Sequence, residues 1–125
     1  MNIDQMKSNL RMHNLYFSNC QIRRDVVVSN GEYNIDIERH IEKLGEHEYR
    51  VVLDTSIRKK DVALDITTKA EFIYESEDYS NEELVINANT VAIMFPFVRS
   101  QVTLMTSQPG MAPIVLPPIN TQNFS

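Results

Sequence analysis

Several residue types that often carry function are scarce in this chain. It has one cysteine, three glycines and no tryptophan among 125 residues. A single cysteine excludes an internal disulfide and favours a reducing compartment, so we expect a cytoplasmic protein. The three glycines form neither a P-loop nor a Gly-x-Gly-x-x-Gly pattern, which argues against a phosphate-cradling nucleotide site.

Long hydrophobic runs and basic surfaces are also missing. The longest apolar run, residues 91–98, has eight residues and contains Pro96, whereas a membrane-spanning helix needs about 20. The formal net charge is −5, and binding to nucleic acid or anionic membranes relies on cationic surfaces. We therefore expect no nucleic-acid partner and no membrane insertion.

Charge is nearly absent from the C-terminal third. Residues 84–125 contain a single charged side chain, Arg99, together with all five prolines. A segment so poor in charge must bury most of its surface within the fold or against another chain. This asymmetry is the first indication of an oligomer.

Residues 10–75 show the alternation of apolar and polar side chains that is typical of strands. The two-residue period holds along 33–41, 49–57 and 62–74, and the connections between these segments are short, which favours antiparallel neighbours. Along 10–22 the alternation slips twice, which predicts a long first strand with one or two bulges. The sequence thus predicts four antiparallel strands with one apolar and one solvated face.

After the strands the apolar residues follow helical spacing. Residues 76–89 are predicted to form a solvated crossover, and a helix is predicted over about 90–108, with Pro96 kinking it or starting its main part. Residues 109–125 are rich in proline and are predicted to be extended. The chain is too short for two domains, so we expect a single α+β domain: a four-stranded antiparallel sheet over about 10–75, one long helix and a proline-rich extended tail.

The apolar surface of the predicted helix is wider than one stripe. Ala92, Ile93, Phe97 and Leu104 lie away from the main stripe, and apart from Arg99 the remaining positions are uncharged. A helix that covers a single sheet usually has a charged back. We therefore predict that a second subunit covers this helix, at an interface formed by Met94, Phe97, Val98, Val102 and Met105.

No residue pattern indicates catalysis or metal binding. His13, His40 and His47 form no His-x-x-x-His pair, so no metal site is expected. Cys20 has no evident base beside it and is better explained as a small apolar filler in a strand. We predict a protein that is not an enzyme and uses no cofactor.

The helix and tail carry a more specific signature. Residues 93–99 (IMFPFVR), followed by residues 116–120 (LPPIN), resemble the SecB-type protein-export chaperones. That family has an aliphatic-aliphatic-Phe-Pro-aromatic-small-Arg helix start and a later segment that ends in Pro-aliphatic-Asn. Tyr16 also falls where the first strand of the family often has tyrosine. The resemblance covers nearly the whole chain and is strongest over 91–120.

The resemblance implies an ATP-independent cytoplasmic chaperone that assembles as a dimer of dimers. Such proteins bind unfolded or precursor polypeptides through apolar grooves and pass them to the SecA translocase motor. On this basis we expect client contacts from Val26, Val27, Val28, Tyr33, Leu84 and Ile86. The three consecutive valines suit a buried strand end about as well as a groove.

Two departures from the family pattern concern partners. The family continues past Asn120 into a second helix and a mobile tail, so a chain ending at Ser125 is either a short member that lacks both or a shortened version of one. Asn19 and Arg23 occupy positions where the family has acidic residues that dock the motor. Asp65 matches an acidic residue of the family pattern, and translocase docking would therefore depend on Asp65.

Three functions stay open from the sequence. The first is a SecB-like holdase, for which the resemblance implies a role in protein export. The second is a dedicated chaperone of an antitoxin in a toxin–antitoxin system, which the loss of docking acids favours. The third is a structural or adaptor oligomer whose surplus apolar surface serves assembly alone.

Overall fold

The computed structural model of the chain describes residues 9–25 and 32–119. These residues form a sheet in the order β1-β4-β3-β2 and one helix, and all neighbouring strands are antiparallel. This confirms the predicted four-stranded antiparallel sheet followed by one long helix. The elements are β1 (Leu10–Arg24), β2 (Asn34–Gly45), β3 (Glu48–Lys59), β4 (Val62–Tyr74) and α1 (Glu82–Thr106).

β1 contains the irregularities that its sequence pattern predicts. Its register against β4 shifts between His13 and Tyr16, and again between Phe17 and Asn19. Within the first shift Asn14 has a φ of 57°, a conformation that asparagine adopts more readily than most residues. A bulge inserts one extra residue into a strand, so the apolar side chains return to the same face after each slip. The predicted bulges are confirmed.

One face of the sheet forms the core with the helix. Every second residue of β3 from Tyr49 to Ile57, and of β4 from Val62 to Tyr74, is buried on this face. The opposite face carries charged side chains, including Arg50 and Glu71, whose side chains approach to 3.4 Å. Alternating burial follows from the two-residue period of a strand with one covered face.

The helix begins at Glu82, earlier than the predicted start near residue 90. The sequence pattern places residues 82–89 in the crossover because acidic and amide side chains interrupt the apolar spacing there. In the structure the acids Glu82 and Glu83 form the first turn of the helix. Carboxylates are favourable at this end because the free amide groups of a helix N-terminus carry partial positive charge.

The helix contacts the sheet through residues spaced four apart. Because four residues advance by slightly more than one helical turn, such a row is inclined to the helix axis. Near its start, Arg39 of β2 donates to the carbonyl of Asn87. Beyond its end, Arg24 of β1 donates to the carbonyl of Pro109 over 2.7 Å. The buried row consists of Ile86, Thr90, Met94, Val98, Val102 and Thr106, and Val91 and Phe95 are buried beside it.

Two buried hydroxyl groups on the core face give a stability prediction. The Oγ1 atoms of Thr55 and Thr68 have no hydrogen-bond partner among the described residues. Thr55→Val and Thr68→Val should each raise the free energy of unfolding by about 1 kcal/mol, because a methyl group replaces a hydroxyl that is desolvated without a partner. Urea unfolding measures the change.

Thr67→Val is the matched control for both variants. Its hydroxyl lies on the solvated face and donates to Asp54 over 2.9 Å, so its loss should not stabilise the protein. A decrease in the free energy of unfolding for both Thr55→Val and Thr68→Val would contradict the prediction.

Candidate functional site

Large apolar side chains remain exposed on the outer side of α1. Phe97 is 46% exposed and Leu104 68% exposed, and Val115 of the tail is 71% exposed. Phe97 and Leu104 are seven residues apart and so lie on one side of the helix. We call Phe97 and Leu104, together with Ser100 between them in the sequence, the outer patch. It contains no charged side chain, and contiguous apolar surface of this kind is typical of an interaction site.

The structure separates the five predicted interface residues into two groups. Met94, Val98 and Val102 are 0% exposed and pack in the core that α1 forms with the sheet of its own chain. Their assignment to a subunit interface is therefore corrected, because their own sheet already covers them. Phe97 faces outward, and Met105 is partly buried against the core.

The tail lies along one flank of α1 and is held by helix side chains. Arg99 Nε donates to the carbonyl of Leu116 over 2.8 Å. Thr103 Oγ1 donates to the carbonyl of Ile114, and the Ile114 amide donates to Thr106 Oγ1, both over 2.8 Å. The side chains of Ile114 and Leu116 are buried in the core. The one charge of the C-terminal third, Arg99, is thus used to hold the tail.

A second candidate site lies where α1 begins, beside β2 and β3. A cleft of about 360 Å³ is present there. Its apolar lining residues are aliphatic and aromatic, and its other lining residues are charged or amide side chains. A cleft with an apolar interior and a hydrated rim suits an apolar group of a ligand. We call it the helix-start cleft, and it is lined by Ile41, Lys43, Tyr49, Glu82, Glu83, Ile86 and Asn87.

Glu82 joins this cleft to neighbouring rings. Its Oε1 lies 2.6 Å from Nδ1 of His47, and the His47 ring stacks on Tyr79 with 3.9 Å between centroids. Burial, followed by the negative charges of Glu82 and Glu83, raises the pKa of Tyr49 above its ordinary value of 10.0. Tyr49 therefore stays neutral at physiological pH. These contacts tie the first turn of the helix to the sheet.

The predicted client-binding residues lie in different places. Ile86 is 2% exposed and lines the helix-start cleft, whereas Leu84 is 62% exposed on the first turns of α1. Tyr33 is partly buried against the core, and residues 26–28 lie outside the described residues. The prediction missed Tyr49, because its place in a strand period marks it only as a core residue.

Asp65, the predicted docking acid, is engaged by its own neighbours on the solvated face. Ser56 Oγ donates to its Oδ1 over 2.7 Å, and Arg58 Nη2 donates to both carboxylate oxygens over 3.0 and 3.1 Å. The hydrogen bond from Ser56, and then those of the Arg58 guanidinium, lower the pKa of Asp65 below its ordinary value of 3.8. A basic partner would have to compete with Arg58 for this carboxylate.

The lowered pKa of Asp65 predicts a pH-dependent contribution to stability. Asp65→Asn should lower the free energy of unfolding at pH 7, by less than about 1 kcal/mol because solvent screens exposed ion pairs. The deficit should shrink as the pH falls below 3.8, since wild-type Asp65 then takes up a proton and loses the same interactions. Urea unfolding of both proteins at pH 7 and pH 3 measures this, and a deficit independent of pH would contradict it.

The remaining side chains considered for catalysis or metal binding do not lie together in one site. His13 and His40 lie on the solvated face beside Glu71 and Asp54. Cys20 is exposed on the edge strand β1, which corrects the expectation that it fills an apolar space. Within residues 9–25 and 32–119, no group of His, Cys, Asp and Glu side chains could hold a metal ion. No helix in the same part of the chain is long and apolar enough to cross a membrane.

Comparison with known sequences identifies relatives along most of the chain. The family model for SecB, the preprotein translocase subunit, matches residues 12–124. The uncharacterized protein MJ0357 of Methanocaldococcus jannaschii is 30% identical over 93 residues, 70% of this chain and 60% of that protein. The protein-export protein SecB of Nitrosospira multiformis is 28% identical over 99 residues, 71% of this chain and 59% of that protein. The chain thus spans about 60% of the length of these relatives.

Two solved structures share the fold. The SecB-like chaperone Rv1957 of Mycobacterium tuberculosis, in complex with a ChAD peptide from the Rv1956 HigA1 antitoxin, matches with a TM-score of 0.72 and 14% identity, covering 94% of this chain and 92% of that chain. A protein of unknown function from Streptococcus agalactiae matches with a TM-score of 0.56 and 11% identity, covering 86% and 96% respectively. At these identities the likeness is one of fold.

Proposed function

This chain belongs to the SecB family, and from that premise we propose that it is an ATP-independent holdase for unfolded or precursor polypeptides. Chaperones of this family are non-enzymatic, in agreement with the prediction from the sequence. A holdase needs apolar surface open to many sequences, and it needs no reactive group. The observation that carries the proposal is apolar surface near the start of α1: Leu84 is 62% exposed, and Ile41, Tyr49 and Ile86 line the helix-start cleft.

We assign client binding to the helix-start cleft and the adjacent Leu84. Apolar side chains of the cleft can accept client groups by size and hydrophobicity, without a requirement for one sequence. Charged residues such as Lys43 and Glu83 stay hydrated at its rim, which opposes permanent self-association through this surface. Tyr33 and residues 26–28 stay predicted client contacts.

We assign the outer patch to assembly with further copies of the chain, as the dimer of dimers that the family resemblance implies. Two properties support this: Phe97 and Leu104 lie on the side of α1 that faces away from its own sheet, and no charge interrupts them. A homo-oligomer interface is more apolar than the rest of a protein surface. In this proposal Phe97 keeps its predicted role, and Leu104 replaces the residues that the core occupies.

Aggregation of a chemically denatured client, followed by light scattering, tests the holdase activity. The protein at a stoichiometric ratio should delay aggregation without ATP, and added ATP should change nothing. Leu84→Ser should weaken the delay, whereas Tyr16→Ser should not, because Tyr16 is an exposed residue paired with Lys69 on the solvated face. Undelayed aggregation of several unrelated clients would refute a general holdase.

A role in export adds two further proposals: a cytoplasmic location and binding to the SecA motor. The match to a preprotein translocase subunit supports both. Asp65 would be a docking acid only if a basic group of the motor displaced Arg58. Titration of labelled protein with SecA should therefore show weaker binding for Asp65→Asn, and equal binding by both proteins would remove Asp65 from the interface.

A dedicated antitoxin chaperone is the second candidate function. The fold match to a SecB-like chaperone bound to an antitoxin peptide supports it, as does the engagement of Asp65 by Arg58. Tight capture of one antitoxin together with no capture of denatured exported precursors would select this function. A purely structural or adaptor oligomer would instead leave little apolar surface for a dye such as ANS in the intact assembly.

A further inference from the structure

We propose that tail residues 111–119 are the exchangeable occupant of a peptide-binding groove along α1, and that an extended client segment takes their place. The flank groove, as we call it, is formed by the helix side chains Phe95, Arg99, Thr103 and Thr106. The proposal rests on the holdase function and names a binding mode and a regulation for it. In the absence of client, the tail keeps the flank groove covered.

The helix holds the tail through the tail's main chain. Arg99 and Thr103 donate to main-chain carbonyls, and Thr106 accepts from a main-chain amide, each over 2.8 Å. Carbonyl groups occur in every residue, and amide hydrogens in every residue except proline. The hydrogen bonds of the flank groove therefore select an extended conformation rather than a particular sequence.

The tail side chains show which pattern the groove accepts. Ile114 is 8% exposed and Leu116 1% exposed, whereas Val115 between them is 71% exposed. Successive side chains of an extended chain point to opposite sides, so the groove takes two apolar side chains separated by one residue of any kind. Unfolded polypeptides offer many such segments, and the client class is therefore an extended apolar-x-apolar stretch.

The composition of the tail makes it a replaceable occupant. Pro113, Pro117 and Pro118 have no amide hydrogen to donate, so the tail can donate from fewer main-chain positions than a client without prolines. The contact between the tail and the helix is also interrupted by two clefts. A cleft of about 510 Å³ lies between Val115 and the helix, and one of about 130 Å³ lies beside Ile119. A client could bind first at these clefts and then displace the tail.

Competition with the tail has a direct consequence for affinity. The client binds only the fraction of molecules whose flank groove is free, so its apparent dissociation constant is the intrinsic value divided by that fraction. A change that weakens the tail but leaves the groove intact should therefore tighten client binding. A change in the groove itself weakens both occupants and should produce no such gain.

Fluorescence anisotropy of a labelled peptide with alternating leucine and serine residues tests this competition. Ile114→Ala should tighten binding of this peptide roughly tenfold, because the truncated side chain leaves the groove open more often. Tyr16→Ala is the control and should bind as the wild type does, since Tyr16 is exposed on the solvated face of the sheet, on the side that does not pack against the helix. The double variant Thr103→Val with Thr106→Val should bind no more tightly than the wild type.

Two results of the anisotropy measurement would overturn the exchange. Equal affinity of Ile114→Ala and wild type would mean that the tail does not compete. Equal tightening by the double variant of Thr103 and Thr106 would mean that general loosening of the fold, rather than release of the tail, exposes the binding surface.

Amide hydrogen exchange tests the same step in the wild-type chain. The Ile114 amide is protected by Thr106 Oγ1, so saturating peptide should accelerate its exchange while the helix amide of Val102 stays protected. An Ile114 amide that stays protected while the peptide is bound would refute the exchange and leave the holdase proposal standing. No binding of the peptide to any variant would refute both.

Discussion

Val98→Asp is expected to unfold the protein. Val98 is 0% exposed and belongs to the row of α1 that packs on the sheet. A carboxylate at this position would be buried without a charged partner, which costs more than about 4 kcal/mol. Domains of this size are stable by only about 5 to 15 kcal/mol. Far-UV circular dichroism at neutral pH should therefore show the loss of most helix and strand signal.

The result for Val98→Asp distinguishes the two placements of this residue. The sequence pattern places Val98 at a subunit interface, whereas the structure places it in the core of one chain. Val98→Ala should remain folded, with a loss of free energy of unfolding of about 1 to 3 kcal/mol from the lost methyl groups and the small cavity. A Val98→Asp protein that kept its circular dichroism spectrum but lost its assembly would contradict the core placement.

Phe97→Asp should have the opposite effect: the fold is kept and the assembly is lost. Phe97 is 46% exposed on the outer patch, so an aspartate there is hydrated in the separate chain. In a symmetric interface each residue occurs twice. Two carboxylates at about 3 kcal/mol each would raise the dissociation constant by about four orders of magnitude. Light scattering coupled to size exclusion at micromolar concentration should then show a lower mass.

The control for Phe97→Asp is Leu44→Asp, which changes an exposed apolar residue at the far end of β2. Its mass should equal that of the wild type, and Leu104→Asp should behave like Phe97→Asp. Unchanged mass for both outer-patch variants, with the wild type oligomeric, would remove the outer patch from the interface. A monomeric wild type would remove the proposed assembly as a whole.

The strands were predictable because their signal is local. Alternation along β3 and β4 assigns the buried face residue by residue, and two slips in that alternation are enough to locate the bulges of β1. The start of the helix was harder to predict from the sequence. Residues 82–89 join α1 through contacts that are distant in sequence, such as that of Glu82 with His47 and that of Arg39 with Asn87.

The candidate sites also differ in how far the sequence predicts them. The surplus of apolar side chains on the helix is visible in the sequence, and the structure leaves Phe97 and Leu104 exposed. The helix-start cleft was only partly predictable, since Ile86 was among the predicted residues but Tyr49 was not. The flank groove was not predictable, because nothing local links Thr103 and Thr106 to the main chain of Ile114.

The sequence by itself determined the four-stranded sheet, its apolar face, the long helix and the surplus of uncharged surface in the C-terminal third, and its motifs pointed to the family. These properties follow from residue type and spacing along the chain. Only the tertiary structure decided which side of the helix faces the sheet, that Arg99 holds the tail, and that Asp65 is already paired. Both sides of α1 satisfy the same helical period, so their roles are set by contacts between residues far apart in sequence.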